Sequence, residues 1–237
     1  MLMTTKIDPK VIVALDFAEL DATLAFIDEL DPSHCRVKVG KELFTRFGAG
    51  IVKRLVDKKF DVFLDLKYHD IPNTVASACL AAADLGVWMV NMHAMGGVPM
   101  MTHAAETIAK HDGHKPLLIA VTILTSMSME DIMTIGLTGP VEYNVKHLAE
   151  LAEQSGMDGV VCSAHEVELI HSVCSSKFLT VTPGIRLESD DHNDQKRVMT
   201  PKAAVAAGAD YLVIGRPITQ AENPSAILQK INVDINQ

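Results

Sequence analysis

The residues best able to do chemistry lie in Phe63-Leu64-Asp65-Leu66-Lys67-Tyr68-His69-Asp70-Ile71-Pro72-Asn73-Thr74. An apolar run, Val62-Phe63-Leu64, delivers an acid, a base and a second acid within six residues. Side chains two apart on a strand share a face. Asp65 and Lys67 are therefore expected to project together from the strand's C-terminal end, with Asp70 in the turn beyond. Burying charges is costly unless they pair, so the pattern is either a structural ion pair or a reactive site. A lysine among carboxylates is favoured as the ammonium, which suits it to donate a proton. A Schiff-base lysine needs the opposite environment. Asp65 beside a reacting centre would repel a negative group that is lost during reaction. Lysines interleaved with Asp65 and Asp70 disfavour a metal cation.

The elements that must position these residues can be read in chain order. Apolar strands are expected at residues 11–16, 36–40, the stretch above, 88–94, 116–125, 159–164, 178–185 and 211–216. Between them apolar residues recur at helical spacing, as in Phe44, Phe47, Ile51 and Leu55, or Val145, Leu148 and Leu151. Ser128 and Asp131 have the spacing of a capping box, and a last helix runs from about Pro224 to Ile231. Leu85-Gly86-Val87, Ser155-Gly156-Met157 and Ala207-Gly208-Ala209 each read as helix, glycine, strand. Eight strand–helix units across 237 residues have the length of βαβ repeats. An open doubly wound sheet is the alternative, but no G-x-G-x-x-G follows the first strand. The expected fold is α/β, one domain over residues 1–237, a (β/α)8 TIM barrel.

In such a barrel the strands' C-terminal ends meet on one face, where active sites lie. That face should gather Asp16, Lys38, Asp65, Lys67, Asp70, His93, Thr125-Ser126, Arg186 and Gly215-Arg216. A single charged tip is usually a solvated rim residue, whereas tips from five strands in one mouth favour a site. Strands seven and eight end in Gly184-Ile185-Arg186 and Gly215-Arg216, where barrels commonly bind phosphate. The polar segment 188–197 is long enough to serve as a lid. His93 is expected as a hydrogen-bonding pocket wall, and Met92, Met95, Met100 and Met101 as packing.

Bulk properties set outer limits. Apolar residues make up 48% and charged residues 22%, and the formal net charge is −9. That charge argues against nucleic-acid and anionic-membrane partners. The four cysteines, Cys35, Cys79, Cys162 and Cys174, lack metal-site spacing and suit reduced, mostly buried thiols. No signal-peptide pattern and no apolar run of about 18 residues appear, so a soluble cytoplasmic protein is expected.

Asp65-x-Lys67-x-x-Asp70-Ile71-Pro72-Asn73-Thr74, with Thr182-Pro183-Gly184-Ile185-Arg186 and Ile214-Gly215-Arg216, closely resembles the bacterial type of orotidine 5′-phosphate decarboxylase. The match extends from Ala14-Leu15-Asp16 and Lys38-Val39-Gly40 through Leu124-Thr125-Ser126. The resemblance implies a homodimer of barrels that converts orotidine monophosphate to uridine monophosphate and carbon dioxide in de novo pyrimidine biosynthesis, with no cofactor and no metal. It implies Lys67 as proton donor to C6, Asp65 as the carboxylate set against the substrate's own, and Lys38 completing the array. Asp70, Ile71 and Thr74 would enter the neighbouring subunit's site. Asp16 and Lys38 would bind ribose, Thr125 and Ser126 the pyrimidine, and Arg186, Gln195, Gly215 and Arg216 the phosphate. Sister enzymes that use magnesium, similar to 3-keto-L-gulonate 6-phosphate decarboxylase and hexulose-phosphate synthase, carry an acid where this chain has Lys38. A catalytically dead barrel that binds nucleotide is the rival from another class, and intact Asp65, Lys67 and Asp70 argue against it.

Overall fold

The computed structural model describes residues 8–187 and 198–236. Its strands are β1 (Val11–Ala14), β2 (Arg36–Gly40), β3 (Val62–Tyr68), β4 (Met89–His93), β5 (Leu117–Val121), β6 (Gly159–Val161), β7 (Leu179–Thr182) and β8 (Tyr211–Ile214). They form one closed parallel barrel in sequence order, with β1 paired to β8 through Val11 and Leu212. The helices α1 (Leu20–Asp28), α2 (Lys41–Asp57), α3 (Pro72–Asp84), α4 (Val98–Lys110), α5 (Met129–Thr134), α6 (Val141–Gln154), α7 (Val167–His171), α8 (Pro201–Ala206), α9 (Arg216–Thr219) and α10 (Pro224–Ile235) alternate with them. Among the described residues no helix is long and apolar enough to cross a membrane.

Alternation along each strand divides the core. Val11, Val13, Val37, Val39, Leu64 and Val90 pack outward against the helices, while Ile12, Ala14, Phe63, Met89, Ile119, Val181, Tyr211 and Val213 fill the barrel. Strands buried on both faces must be apolar in both directions, hence the continuous β-branched runs. The glycines of the three repeated segments end their helices in the left-handed conformation, with φ of 79° at Gly86, 81° at Gly156 and 99° at Gly208. In the latter two, the Met157 N–H donates to the Ala152 carbonyl at 3.1 Å and the Ala209 N–H to the Ala204 carbonyl at 3.0 Å. These are Schellman closures, which turn the chain from helix into strand. The capping box forms as expected, since Ser128 accepts from the Asp131 N–H and Asp131 accepts from the Ser128 N–H.

Several expected strands are shorter than their apolar runs. β5 stops at Val121 rather than Thr125, because β6 ends at Val161 and the Thr122 hydroxyl and N–H both donate to the Val161 carbonyl. β7 stops at Thr182, where Pro183 has no N–H to give and Gly184 turns left-handed at φ 80°. Beyond it, among the described residues, Ile185 forms an isolated bridge to Met199 outside the barrel strands. At the other end α10 continues to Ile235, beyond the expected Ile231. Met92, Met100 and Met101 are core residues, but Met95 is exposed and does not pack as expected.

Arg36 closes the N-terminal end of the barrel. Its guanidinium lies 4.1 Å from the Trp88 ring centroid and 5.0 Å from that of Tyr211. It donates to the Pro9 carbonyl and the Asp8 carboxylate and pairs with Asp61 at 3.3 Å.

The tightest point of the wall is Gly159, where an added Cβ would sit 2.2 Å from the Leu179 carbonyl oxygen. The clash is with backbone of the adjacent strand, so no side-chain rotation relieves it. Gly159→Ala is expected to lower stability by about 1–3 kcal/mol, the usual cost of overpacking, measured by denaturant unfolding. Unchanged stability would show that the β6–β7 ladder yields.

Candidate active site

Alternation on β2 puts Arg36 and Lys38 on the inward face, one at each end of the barrel. β3 brings Asp65 to the C-terminal mouth within reach of the Lys38 side chain. Gly40, not Lys38, is the residue in register with Asp65, so the lysine reaches across to it from within the barrel. Lys38 Nζ lies 3.4 Å from Asp65 Oδ2 and 3.4 Å from Asp16 Oδ1. Lys67 Nζ lies 2.5 Å from Asp65 Oδ1. Asp65 is thus a buried carboxylate, 8% exposed, held between two ammonium groups.

The strand that carries this array is not regular. Leu64 pairs with Val90 and Tyr68 with Met92, so four residue steps on β3 span two on β4. Lys67 sits in this bulge with φ of 54°. For a residue with a Cβ that conformation costs about 1–2 kcal/mol. The ladder hydrogen bond it forgoes is replaced by a side chain, as the Lys67 N–H donates to Asn91 Oδ1 at 2.8 Å. Asn91 Nδ2 donates in turn to Asp65 Oδ1 at 2.7 Å. The expected convergence of Asp65 and Lys67 is therefore present, but a bulge produces it and simple alternation does not.

Burial works to raise the Asp65 pKa. Lys38 and Lys67, with the hydrogen bonds from Lys67 and Asn91, more than offset it and hold the carboxyl below its ordinary value. Both Asp65 oxygens are engaged by nitrogen donors. Among the described residues no group of three His, Cys, Asp or Glu side chains is arranged to hold a metal ion.

A cavity of about 210 Å³ opens over the array, lined by Lys38, Asp65, Lys67, Leu124, Thr125 and Ser126 among others. Asp16 is exposed on the rim, next to Lys38. Arg186 and Gly215-Arg216 follow the ends of the adjacent strands β7 and β8, where they were expected. The Arg186 N–H donates to the Met199 carbonyl, fixing the chain there. Gln195 and the rest of segment 188–197 lie outside the described residues.

Asp70 stands apart from the Lys38–Asp65–Lys67 array, and His93 is not placed as expected. Asp70 is exposed, and its carboxylate accepts from the Ile71 N–H at 2.6 Å, while among the described residues no ion pair joins it to Lys67. Ile71 and Thr74 are exposed beside it. His93 is absent from the residues lining the cavity and stands next to His69, with ring centroids 5.6 Å apart. The sequence reading passed over Asn91. The available signal was an amide in the middle of an apolar strand, since a buried polar side chain needs partners.

Residues 9–231 match the model of the "Orotidine 5'-phosphate decarboxylase / HUMPS family". The chain belongs to this family. Orotidine 5′-phosphate decarboxylase of Pseudoalteromonas atlantica is 57% identical over 228 residues, covering 96% of this chain and 99% of that one. The enzyme of the same name from Psychromonas ingrahamii is 56% identical over 230 residues, covering 97% and 98%. The crystal structure of orotidine 5′-phosphate decarboxylase from Lactobacillus acidophilus superposes with a TM-score of 0.86 at 39% identity, covering 97% of this chain and all of the other. As a member of the orotidine 5′-phosphate decarboxylase family the chain is a carboxy-lyase.

His93 offers a pH test of this mouth. Burial, then the neighbouring His69, Lys41 and Lys67, lower its pKa to about 4, against an opposing pull from Asp65. An unfolded histidine titrates near about 6.5. Between those values the native chain binds fewer protons than the unfolded chain, so His93 makes stability fall as pH drops from about 6.5 to about 4. His93→Gln should therefore lose less stability than the wild type between pH 7 and pH 4.5 in urea unfolding. Equal losses would show that His93 is not held neutral.

Proposed function

We propose that the protein converts orotidine 5′-monophosphate to uridine 5′-monophosphate and carbon dioxide, without metal or cofactor, as a cytoplasmic homodimer in de novo pyrimidine biosynthesis. The observation that carries this reading is the Lys38–Asp65–Lys67 array at the barrel mouth, centred on a buried carboxylate. The bond from C6 to the carboxylate breaks, its electron pair stays on C6, and carbon dioxide departs. A proton from Lys67 Nζ completes the new C6–H bond, and solvent restores the ammonium.

Lys67 suits this role because its ammonium is fixed by Asp65 and needs no reorganisation when charge develops at C6. Asp65 stands against the substrate carboxylate, a repulsion relieved when that group leaves as neutral carbon dioxide. Loss of carbon dioxide leaves a carbanion at C6 with no adjacent electron sink, so contacts far from C6 must contribute. Arg186, Gly215 and Arg216, with Gln195, would hold the phosphate; Asp16 and Lys38 the ribose; Thr125 and Ser126 the pyrimidine. Asp70, Ile71 and Thr74 would serve the partner's site. Their exposure supports this, as do the exposed Met95, Val98, Met129 and Met133 on the segments after β4 and β5.

Purified protein should deplete the ultraviolet absorbance of orotidine monophosphate, with or without EDTA. No depletion at high enzyme concentration would defeat the reading, and activity lost to EDTA and restored by magnesium would favour the metal-dependent sister chemistry. Lys67→Ala and Asp70→Ala should each lose about 10³-fold or more in kcat. Equal mixing under subunit exchange should recover about a quarter of wild-type activity, because each heterodimer of a two-fold assembly holds one intact site. If exchange is demonstrated and no activity returns, Asp70 does not act across an interface.

A further inference from the structure

We infer that Asn91 is a positioning residue for the charged array, holding the Asp65 carboxylate and the Lys67 backbone from the neighbouring strand. Its kinetic consequence rests on the decarboxylase reading, but its geometry does not.

Asn91 is fully buried at the centre of β4, in a strand otherwise filled by methionine and valine up to His93. Met89, two residues before it, lies in the cluster that fills the barrel, so Asn91 faces inward as well. Both halves of its carboxamide are used. Oδ1 accepts from the Lys67 N–H at 2.8 Å, and Nδ2 donates to Asp65 Oδ1 at 2.7 Å. The amide has one consistent orientation, because an N–H can only donate and an ionised carboxylate can only accept.

Each contact answers a need that the β3 bulge creates. The ladder to β4 is broken between Leu64 and Tyr68, and the left-handed Lys67 falls inside the gap. Asn91 supplies the acceptor that the β4 backbone does not. At its other end it shares Asp65 Oδ1 with Lys67 Nζ, so one amide fixes the start of the lysine and the carboxylate that holds its tip. Neither leucine nor ionised aspartate of similar size can make both contacts. The charged groups facing Asp65 are Lys38 from β2, with Asp16 beyond it, and Lys67 from β3, while His93 from β4 is a titratable neighbour held neutral by burial.

Two variants test this. Asn91→Ala removes both contacts. Asn91→Asp keeps the volume and an acceptor for the Lys67 N–H, but loses the donor to Asp65 and adds a like charge. Both should lower kcat about 100-fold, as small displacements of catalytic groups do, with KM changed less than about threefold because phosphate contacts remain. The acidic limb of the kcat profile should move to higher pH in both, further in Asn91→Asp. The Asp65 carboxyl, followed by carbon-13 NMR of the protein without substrate and assigned through Asp65→Asn, should titrate at higher pH in both variants. Wild-type kcat, or an unmoved Asp65 titration in folded variants, overturns the inference. So does failure of both variants to fold, which would make Asn91 a core residue first. The NMR readout needs no turnover, so a protein inert toward orotidine monophosphate would sink the function while leaving Asn91 decided on its own terms.

Discussion

The mouth of this barrel depends on one buried carboxylate. Asp65 is removed from water, which would be prohibitive for an isolated charge, and it survives there because two ammonium groups and an amide converge on its oxygens. Removing any partner leaves the others miscompensated, so the group behaves as a unit. Two lysines against one carboxylate leave the inner array positive, before Asp16 at the rim is counted. A chain with formal net charge −9 thereby offers an anion a local seat against its own global field.

The same strand, β2, shows how alternation can serve two ends of a barrel. Arg36 and Lys38 are two residues apart and both face inward, yet their surroundings give them different duties. Arg36 is sandwiched near Trp88 and Tyr211 and tied to Asp8, Pro9 and Asp61, neighbours that satisfy a weakly hydrated planar cation and seal the base. Lys38 meets carboxylates at an open mouth, where a compact ammonium can still exchange partners. The closed end stiffens the barrel against which the open end holds its charges.

Most of the architecture was legible because it is written in spacing. Apolar runs, glycines after helices and charged residues at run ends located eight strands and the face where their tips meet. Strand ends were less legible, since hydrophobicity continues past the last ladder bond: Ile123 is buried without being in β5. The bulge in β3 was hidden for a different reason. Lys67 is neither glycine nor asparagine, so no residue type advertises its positive φ. What sustains that conformation stands 24 residues later in Asn91, and pairings at such separation are set by the sheet. Asp70 was legible only as a turn residue beyond β3, and there it stands exposed, its carboxylate accepting from the Ile71 N–H.

The bulge also explains why this charged motif sits on a strand end and not on a free loop. A lysine carries about 2 kcal/mol of rotamer entropy, and in the role proposed for Lys67 its ammonium would have to be held against one atom. A loop would leave both the backbone origin and the tip of that side chain to be ordered by substrate. Here the origin is pinned through the Lys67 N–H and the tip through Asp65, and both restraints pass through Asn91 on a strand that cannot shift without breaking the barrel. Ordering is thus built in during folding, which in the proposed reaction would leave binding energy from remote contacts free to act on the reacting bond.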